Sequence, residues 1–186
     1  MARRLILASA SPQRRAILEQ VGIAFEARPA TVEETSEGDP SEVAQSNARL
    51  KAEAVAAAGE LVLGADTLVS IGGAILGKPT GEAQARSHLE ALGGRTHAVI
   101  GGFVLAEDGD VVLTGVEKTL VSFRPLTPGL VDWYVSTGEW RGRAGAYAIQ
   151  GAGAALVTGI QGDYLNVVGL PLARLLDLRP DLMPAA

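Results

Sequence analysis

Leu5-Ile6-Leu7-Ala8-Ser9-Ala10-Ser11-Pro12-Gln13-Arg14-Arg15 reads as a buried strand that runs straight into the N-terminus of a helix. Ser11 suits the N-cap, and Pro12 suits the first helical position, where a missing N–H costs nothing. Such a junction leaves backbone donors at the positive end of a helix dipole. With the hydroxyls of Ser9 and Ser11 and the guanidinium groups of Arg14 and Arg15 beside them, a phosphate is the natural guest. The same residues also suit an ordinary capped surface helix with solvated arginines, and the motif alone favours that plainer reading.

Working outward, strand and helix signals alternate. A strand over 3–8, a helix over 12–21 ended by Gly22 and a short strand over 23–28 form the first unit. The acidic segment 31–38 lacks periodicity and reads as a loop, after which Asp39-Pro40 opens an Ala-rich helix expected to reach Ala58. An apolar run over 61–65 fits a central strand that delivers Asp66-Thr67 at its carboxyl end, the edge where open α/β sheets bind ligands. A hairpin around Gly72-Gly73 and a helix over 80–92 follow. The runs 96–106 and 110–123 are joined by only Glu107-Asp108-Gly109, so they must be antiparallel and the sheet must be mixed. A helix over 128–137, a glycine-rich loop over 138–153, a strand over 154–160 and a closing helix over 171–178 complete the reading.

Composition restricts the partners. The chain has 186 residues, 47% of them hydrophobic, enough for one substantial core or two small lobes sharing one. No apolar run approaches the roughly 20 residues that cross a bilayer, and Arg3-Arg4 with the apolar residues after it is too short for a secretory leader. With no cysteine there is no disulfide framework or thiolate metal site, so a reducing cytoplasm is expected. A net charge of −5 and scattered cations argue against nucleic acid as a partner and favour a small phosphate compound held in a pocket. Arginine outnumbers lysine thirteen to three, which makes Lys51, Lys78 and Lys118 minority choices. An ammonium is a point charge that a planar guanidinium does not replace, and Lys51 and Lys78 adjoin other polar signals.

Asp66, after a buried strand and beside the small residues Gly64 and Ala65, can hold a divalent metal or orient a water, although such an aspartate also commonly serves as a turn former. Glu33 and Glu34 could supply a second carboxylate. The glycine-rich segment matches neither a Walker loop nor a dinucleotide fingerprint. Within it, Gln150 could read a base edge and Tyr147 could stack or line a wall, with structural roles open to both. His88 and His97 lack metal-ligand spacing and read as structural.

Seven ordered segments resemble the Maf family of nucleoside triphosphate pyrophosphatases. They are Ser9-x-Ser11-Pro12-x-Arg14, Val32-Glu33-Glu34, Ala48-x-x-Lys51-Ala52, Gly64-Ala65-Asp66-Thr67, Gly77-Lys78-Pro79, Ala144-Gly145-Ala146-Tyr147-x-Ile149-Gln150-Gly151 and Asn166-Val167-Val168-Gly169-Leu170-Pro171. The resemblance implies an elongated α/β fold similar to inosine triphosphate pyrophosphatases, a mixed twisted sheet with a cleft between two lobes, and one domain over 1–186. It implies hydrolysis between the α and β phosphates with Mg²⁺ or Mn²⁺, giving a nucleoside monophosphate and pyrophosphate. By position, Asp66 carries over as the proton acceptor or metal-orienting carboxylate, Glu34 as a metal-side acid, and Arg14, Lys51 and Lys78 as phosphate-binding cations. Ser9 and Ser11 fall in the substrate-binding turn. The motifs at 64–67 and 146–151 look like the branch acting on dTTP and UTP rather than 7-methyl-GTP, with Thr67 and Gln150 as selectivity residues. The third such position, usually arginine, is Gln13 here. Family analogy adds a homodimer and a possible link to septum formation.

Two other functions fit the residues less well. A nucleotide-binding regulator of division acting through partner contacts would not need a carboxylate beside a phosphate that it repels. A nucleotidyltransferase would need a site for a second substrate, and none is evident.

Overall fold

In the computed structural model, residues 4–184 are described, so Arg3, where the first strand is expected to begin, lies outside the described residues. Strand β1 (Leu5–Leu7), helix α1 (Pro12–Gln20) and strand β2 (Phe25–Ala27) form the first unit, with β1 and β2 parallel. Helix α2 (Pro40–Glu53) leads to the long strand β3 (Leu61–Ile71), the hairpin strand β4 (Ala74–Leu76) and helix α3 (Glu82–Leu92). The meander β5 (Thr96–Glu107) and β6 (Asp110–Phe123) precedes helix α4 (Pro128–Ser136). Strand β7 (Val157–Gln161) and helices α5 (Tyr164–Val168) and α6 (Leu172–Leu178) follow the glycine-rich segment.

One seven-stranded sheet runs in the order β2-β1-β3-β5-β6-β7, with β4 also paired to β3. β1 is parallel to β2 and β3, whereas β5 is antiparallel to both β3 and β6. The mixed sheet inferred from the short 107–109 connection is therefore present.

Strand β3 departs from the sequence reading in a way that builds the site. It does not stop at Ala65 but runs on to Ile71, 11 residues in all, so Asp66 and Thr67 sit mid-strand. The strand that does end there is its neighbour. β1 pairs with Leu61, Val62 and Leu63, and β4 with Val69, Ser70 and Ile71, so Gly64 to Leu68 has β5 on one edge and no strand on the other. The β1–α1 turn lies beside this interruption, and side chains from both faces of β3 can reach one opening. Consecutive residues of a strand point to opposite faces. Asp66 faces α2, and Thr67 faces the side of α1 and α5.

Two glycines bring α2 unusually close to the sheet. A Cβ on Gly64 would lie 2.1 Å from the Ala48 carbonyl oxygen, and one on Gly102 would lie 2.5 Å from that of Ala44. Ala44, Ala48 and Ala52 recur every four residues along the buried face of α2 and present only methyl groups to the strands. The helix ends at Glu53 rather than Ala58, because residues beyond it fold back. The Val55 amide bonds Ala52, its carbonyl accepts from Arg28 at 3.2 Å, and Val55 and Ala56 pack on the cluster of Ile6, Val62 and Val104.

The opposite face of the sheet is covered in two parts. Ile17, Leu18, Leu170, Leu172 and Leu175 from the helical side meet Leu5, Leu63, Phe103 and Leu105. Leu89, Leu92, Tyr134 and Trp140 meet Val69, Val99, Val121 and Phe123. The expected strand over 154–160 begins instead as a 3-10 turn, Ala152–Leu156, that buries Leu156 before β7 starts.

Candidate active site

At the interruption beside β3, the structure has a cavity of about 430 Å³. All ten residues expected from the sequence line it: Ser9, Ser11, Gln13 and Arg14 from the β1–α1 turn, Glu34 from the acidic loop, Lys51 from α2, Asp66 and Thr67 from β3, and Lys78 and Gln150 from the far wall. Arg15 is exposed and outside this lining, so one guanidinium serves the turn rather than two.

Asp66 is buried and held at both oxygens. Lys51 Nζ donates to Oδ1 at 2.7 Å, and Asn47 Nδ2 donates to Oδ2 at 3.0 Å. Lys51 Nζ also lies 3.0 Å from Glu34 Oε1, so one ammonium bridges the two carboxylates. Burying charge is costly unless it is paired and hydrogen-bonded, and this arrangement satisfies the condition for both Lys51 and Asp66. Asn47 and Lys51 are one helical turn apart on α2, the spacing that places two side chains on one face.

Asn47 was not singled out by the sequence, and it does more than touch Asp66. Its amide accepts from the Thr35 N–H at 3.0 Å and donates to the Thr35 carbonyl at 2.9 Å, tying the loop that carries Glu34 to the aspartate. The available signal was a polar residue interrupting the alanine face of α2, four positions before a rare lysine.

On the other face of β3, Arg14 is only 8% exposed and makes no ion pair among the described residues. Its guanidinium donates to the Gly169 carbonyl at 2.8 Å, Ser9 Oγ at 3.1 Å and Thr67 Oγ1 at 3.2 Å. Burial holds it below the usual arginine range, opposed by the negative charges of Asp66 and Glu34. Thr67 in turn donates its hydroxyl proton to Gly169 at 3.1 Å. Ser11 caps α1 by accepting from the Arg14 N–H at 3.4 Å, and its hydroxyl donates to Gln13 Oε1 at 3.1 Å. This turn is thus shaped around a fixed, buried arginine.

The far wall comes from the Gly77-Lys78 turn and the glycine-rich segment. The Gly145 N–H bonds the Gly77 carbonyl at 3.3 Å, joining the two. Lys78 and Gln150 are exposed at this wall, and Arg141 and Arg143, which no sequence motif marks, line the cavity with them. Tyr147 also lines it, with its phenol 2.9 Å from His97 Nε2. His97 is buried against Phe123 and Tyr147 in edge-on contacts, and burial pushes it down to about 4, so it is a neutral structural residue. His88 lies outside the cavity lining.

Among the described residues no group of three or more His, Cys, Asp or Glu could hold a metal. What the cavity offers is two carboxylates close enough to share one ammonium. That donor set fits Mg²⁺ or Mn²⁺, hard cations commonly bound by one or two carboxylates with the remaining positions taken by water and substrate phosphates.

Comparison with known proteins agrees with this geometry. The family model for Maf-like protein matches residues 4–180. A dTTP/UTP pyrophosphatase of Anaeromyxobacter sp. (strain Fw109-5) is 48% identical over 184 residues, covering 96% of this chain and 89% of that protein. One from Pyrococcus furiosus is 44% identical over 180 residues, covering 95% and 94%. Among solved structures, a nucleoside-triphosphatase / dITP/XTP pyrophosphatase from Mycobacterium abscessus superposes with a TM-score of 0.50 at 14% identity, covering 98% of this chain and 100% of that one, which shows a shared fold. With a family match spanning nearly the whole chain and relatives above 40% identity, the chain belongs to the Maf-like family.

Proposed function

We propose that the chain is a nucleoside triphosphate pyrophosphatase that hydrolyses dTTP and UTP to the nucleoside monophosphate and pyrophosphate. Relatives at 44% and 48% identity carry that name over nearly their full length. The observation that carries the reading in this chain is the shared hydrogen-bonding of Asp66 and Glu34 to Lys51 at the mouth of a cavity lined by further cations.

The roles follow from the contacts. Asp66 accepts one hydrogen bond at each oxygen, which fixes its orientation and leaves a lone pair on each for a water proton. Water oriented there attacks the α-phosphorus, and the proton passes to the carboxylate. Arg14, Lys51 and Lys78 take the negative charge that builds on the phosphate oxygens and the leaving pyrophosphate. Ser9, Ser11 and Gln13 bind phosphate oxygens at the head of α1. When bound by Asp66 and Glu34, Mg²⁺ or Mn²⁺ would polarise the scissile phosphoanhydride. Thr67 acts through Arg14 and Gly169, which already occupy its hydroxyl. Gln150, exposed at the cavity wall, is the residue left free to read a base edge with its amide.

The whole chain, 1–186, is read as one such domain, and its single continuous sheet supports this. No helix among the described residues is long and apolar enough to cross a membrane. A cytoplasmic homodimer rests on family resemblance. The regulator without turnover is not favoured, because the curated relatives are named as pyrophosphatases. Pyrophosphate release from a panel of natural and modified triphosphates tests the assignment. A highest specificity constant for dTTP or UTP supports it, and one for 7-methyl-GTP or a purine nucleotide overturns the branch.

A further inference from the structure

The charged groups around the cavity fall into two sets. Arg14, Lys51, Glu34 and Asp66 balance one another, two positive against two negative, and the bridging ammonium holds three of them together. Lys78, Arg141 and Arg143, which line the same cavity, form no ion pair with any described residue. The balanced set suits a reaction centre whose charge must not be overcompensated. The unbalanced set suits a ligand carrying several negative charges of its own.

Arg143 is the most constrained of these cations. Its Nε is buried without a hydrogen-bond partner, a state that costs free energy unless a ligand or water fills it. Arg143 and Glu139 both act electrostatically on the Tyr134 phenol, yet no ion pair joins the two. The backbone that carries it is fixed. Trp140 Nε1 donates to the Val135 carbonyl at 3.1 Å, the Arg143 N–H bonds the Trp140 carbonyl at 3.2 Å, and the Ala148 N–H bonds the Tyr134 hydroxyl at 2.9 Å. Ala146 is held at a φ of 62°, a left-handed conformation that a non-glycine residue keeps only under surrounding constraint. The loop therefore presents Arg143 without having to order on binding.

We propose that Arg143, with Lys78 and Arg141 lining the same cavity, binds the β- and γ-phosphates and so the leaving pyrophosphate, as a substrate-contacting residue beyond those expected from the sequence. The inference rests on the pyrophosphatase reading. An arginine fork matches two phosphate oxygens at once, and a planar guanidinium lining the same cavity as an exposed lysine supplies charge where the departing group accumulates it.

The test measures binding of pyrophosphate and of dTMP, each with Mn²⁺, to wild type, Arg143→Met and Arg143→Lys by titration calorimetry, with melting temperature as a check on folding. Arg143→Met is expected to weaken pyrophosphate by about 10- to 100-fold, the value of a lost charge-assisted bond, while dTMP stays within about two-fold. Arg143→Lys should recover part of the loss. Unchanged pyrophosphate affinity, or a parallel loss of dTMP, would overturn the inference while leaving the pyrophosphatase reading intact. Wild-type protein that binds neither compound would overturn both.

Discussion

Lys51 Nζ lies 2.7 Å from Asp66 Oδ1 inside a site where Lys51 is 7% and Asp66 4% exposed, so the two opposite charges meet almost entirely out of water. Removing Lys51 leaves the buried Asp66 carboxylate with only the neutral Asn47 amide, whereas removing the Asp66 charge leaves Lys51 paired with Glu34. Lys51→Met should destabilise the fold by about 3–5 kcal/mol and abolish most turnover, whereas Lys51→Met combined with Asp66→Asn should recover much of the stability and none of the activity. Denaturant unfolding of the two single variants and the double variant checks this.

The approach of α2 to β3 sets that pair. Gly64→Ala places a methyl group 2.1 Å from the Ala48 carbonyl oxygen and must push α2 outward, carrying Asn47 and Lys51 away from Asp66. A loss of about 3 kcal/mol and a fall in kcat are expected. Gly129→Ala, where a Cβ meets nothing within 4 Å, is the control and should leave both unchanged or slightly raise stability.

Much of this was legible in the sequence, and the failures have physical causes. The β1–α1 turn, the antiparallel meander and the Gly72-Gly73 hairpin follow from caps, loop length and turn chemistry, and the structure has all three. The apolar run of β3 stops at Asp66, so its pattern predicts a shorter strand than the structure has. Only the tertiary partners Lys51 and Asn47 allow a carboxylate in the middle of a buried strand. Helix α2 stops short of Ala58 although alanine propensity favours continuation, because Val55 and Ala56 gain more by packing on the sheet. Helix α5 spans only five residues, too few to show a period, although Asp163 is a proper N-cap that accepts from the Leu165 N–H. Arg141 and Arg143 carry no sequence signal, because a glycine-rich loop has no period from which a facing direction can be read.

Thr67 ties Arg14 to the Gly169 carbonyl, so its hydroxyl matters more than its methyl group. Thr67→Val keeps the volume and removes the bonds. It should cost about 1 kcal/mol of stability and raise KM for dTTP several-fold, with Thr67→Ser restoring both. Steady-state kinetics with dTTP and UTP separate KM from kcat here.

Acid should weaken the fold through His97. Burial lowers this imidazole from 6.5 to about 4, so the unfolded chain binds more protons than the native one between those values. Its contribution is fully present above pH 6.5 and is lost as pH falls toward 4, an effect of about 3 kcal/mol. His97→Gln should flatten that part of the stability profile, measured by denaturant unfolding at a series of pH values.

The central claim is that the Asp66 carboxylate, set in the open edge of β3, drives hydrolysis. Pyrophosphate release from dTTP and UTP by purified protein with Mn²⁺, compared between wild type and Asp66→Asn, measures it most directly. The account predicts turnover by the wild type and a loss of about 100-fold or more in the variant, with the fold retained. Wild-type protein that leaves both nucleotides intact, or a variant that keeps wild-type kcat, would contradict it.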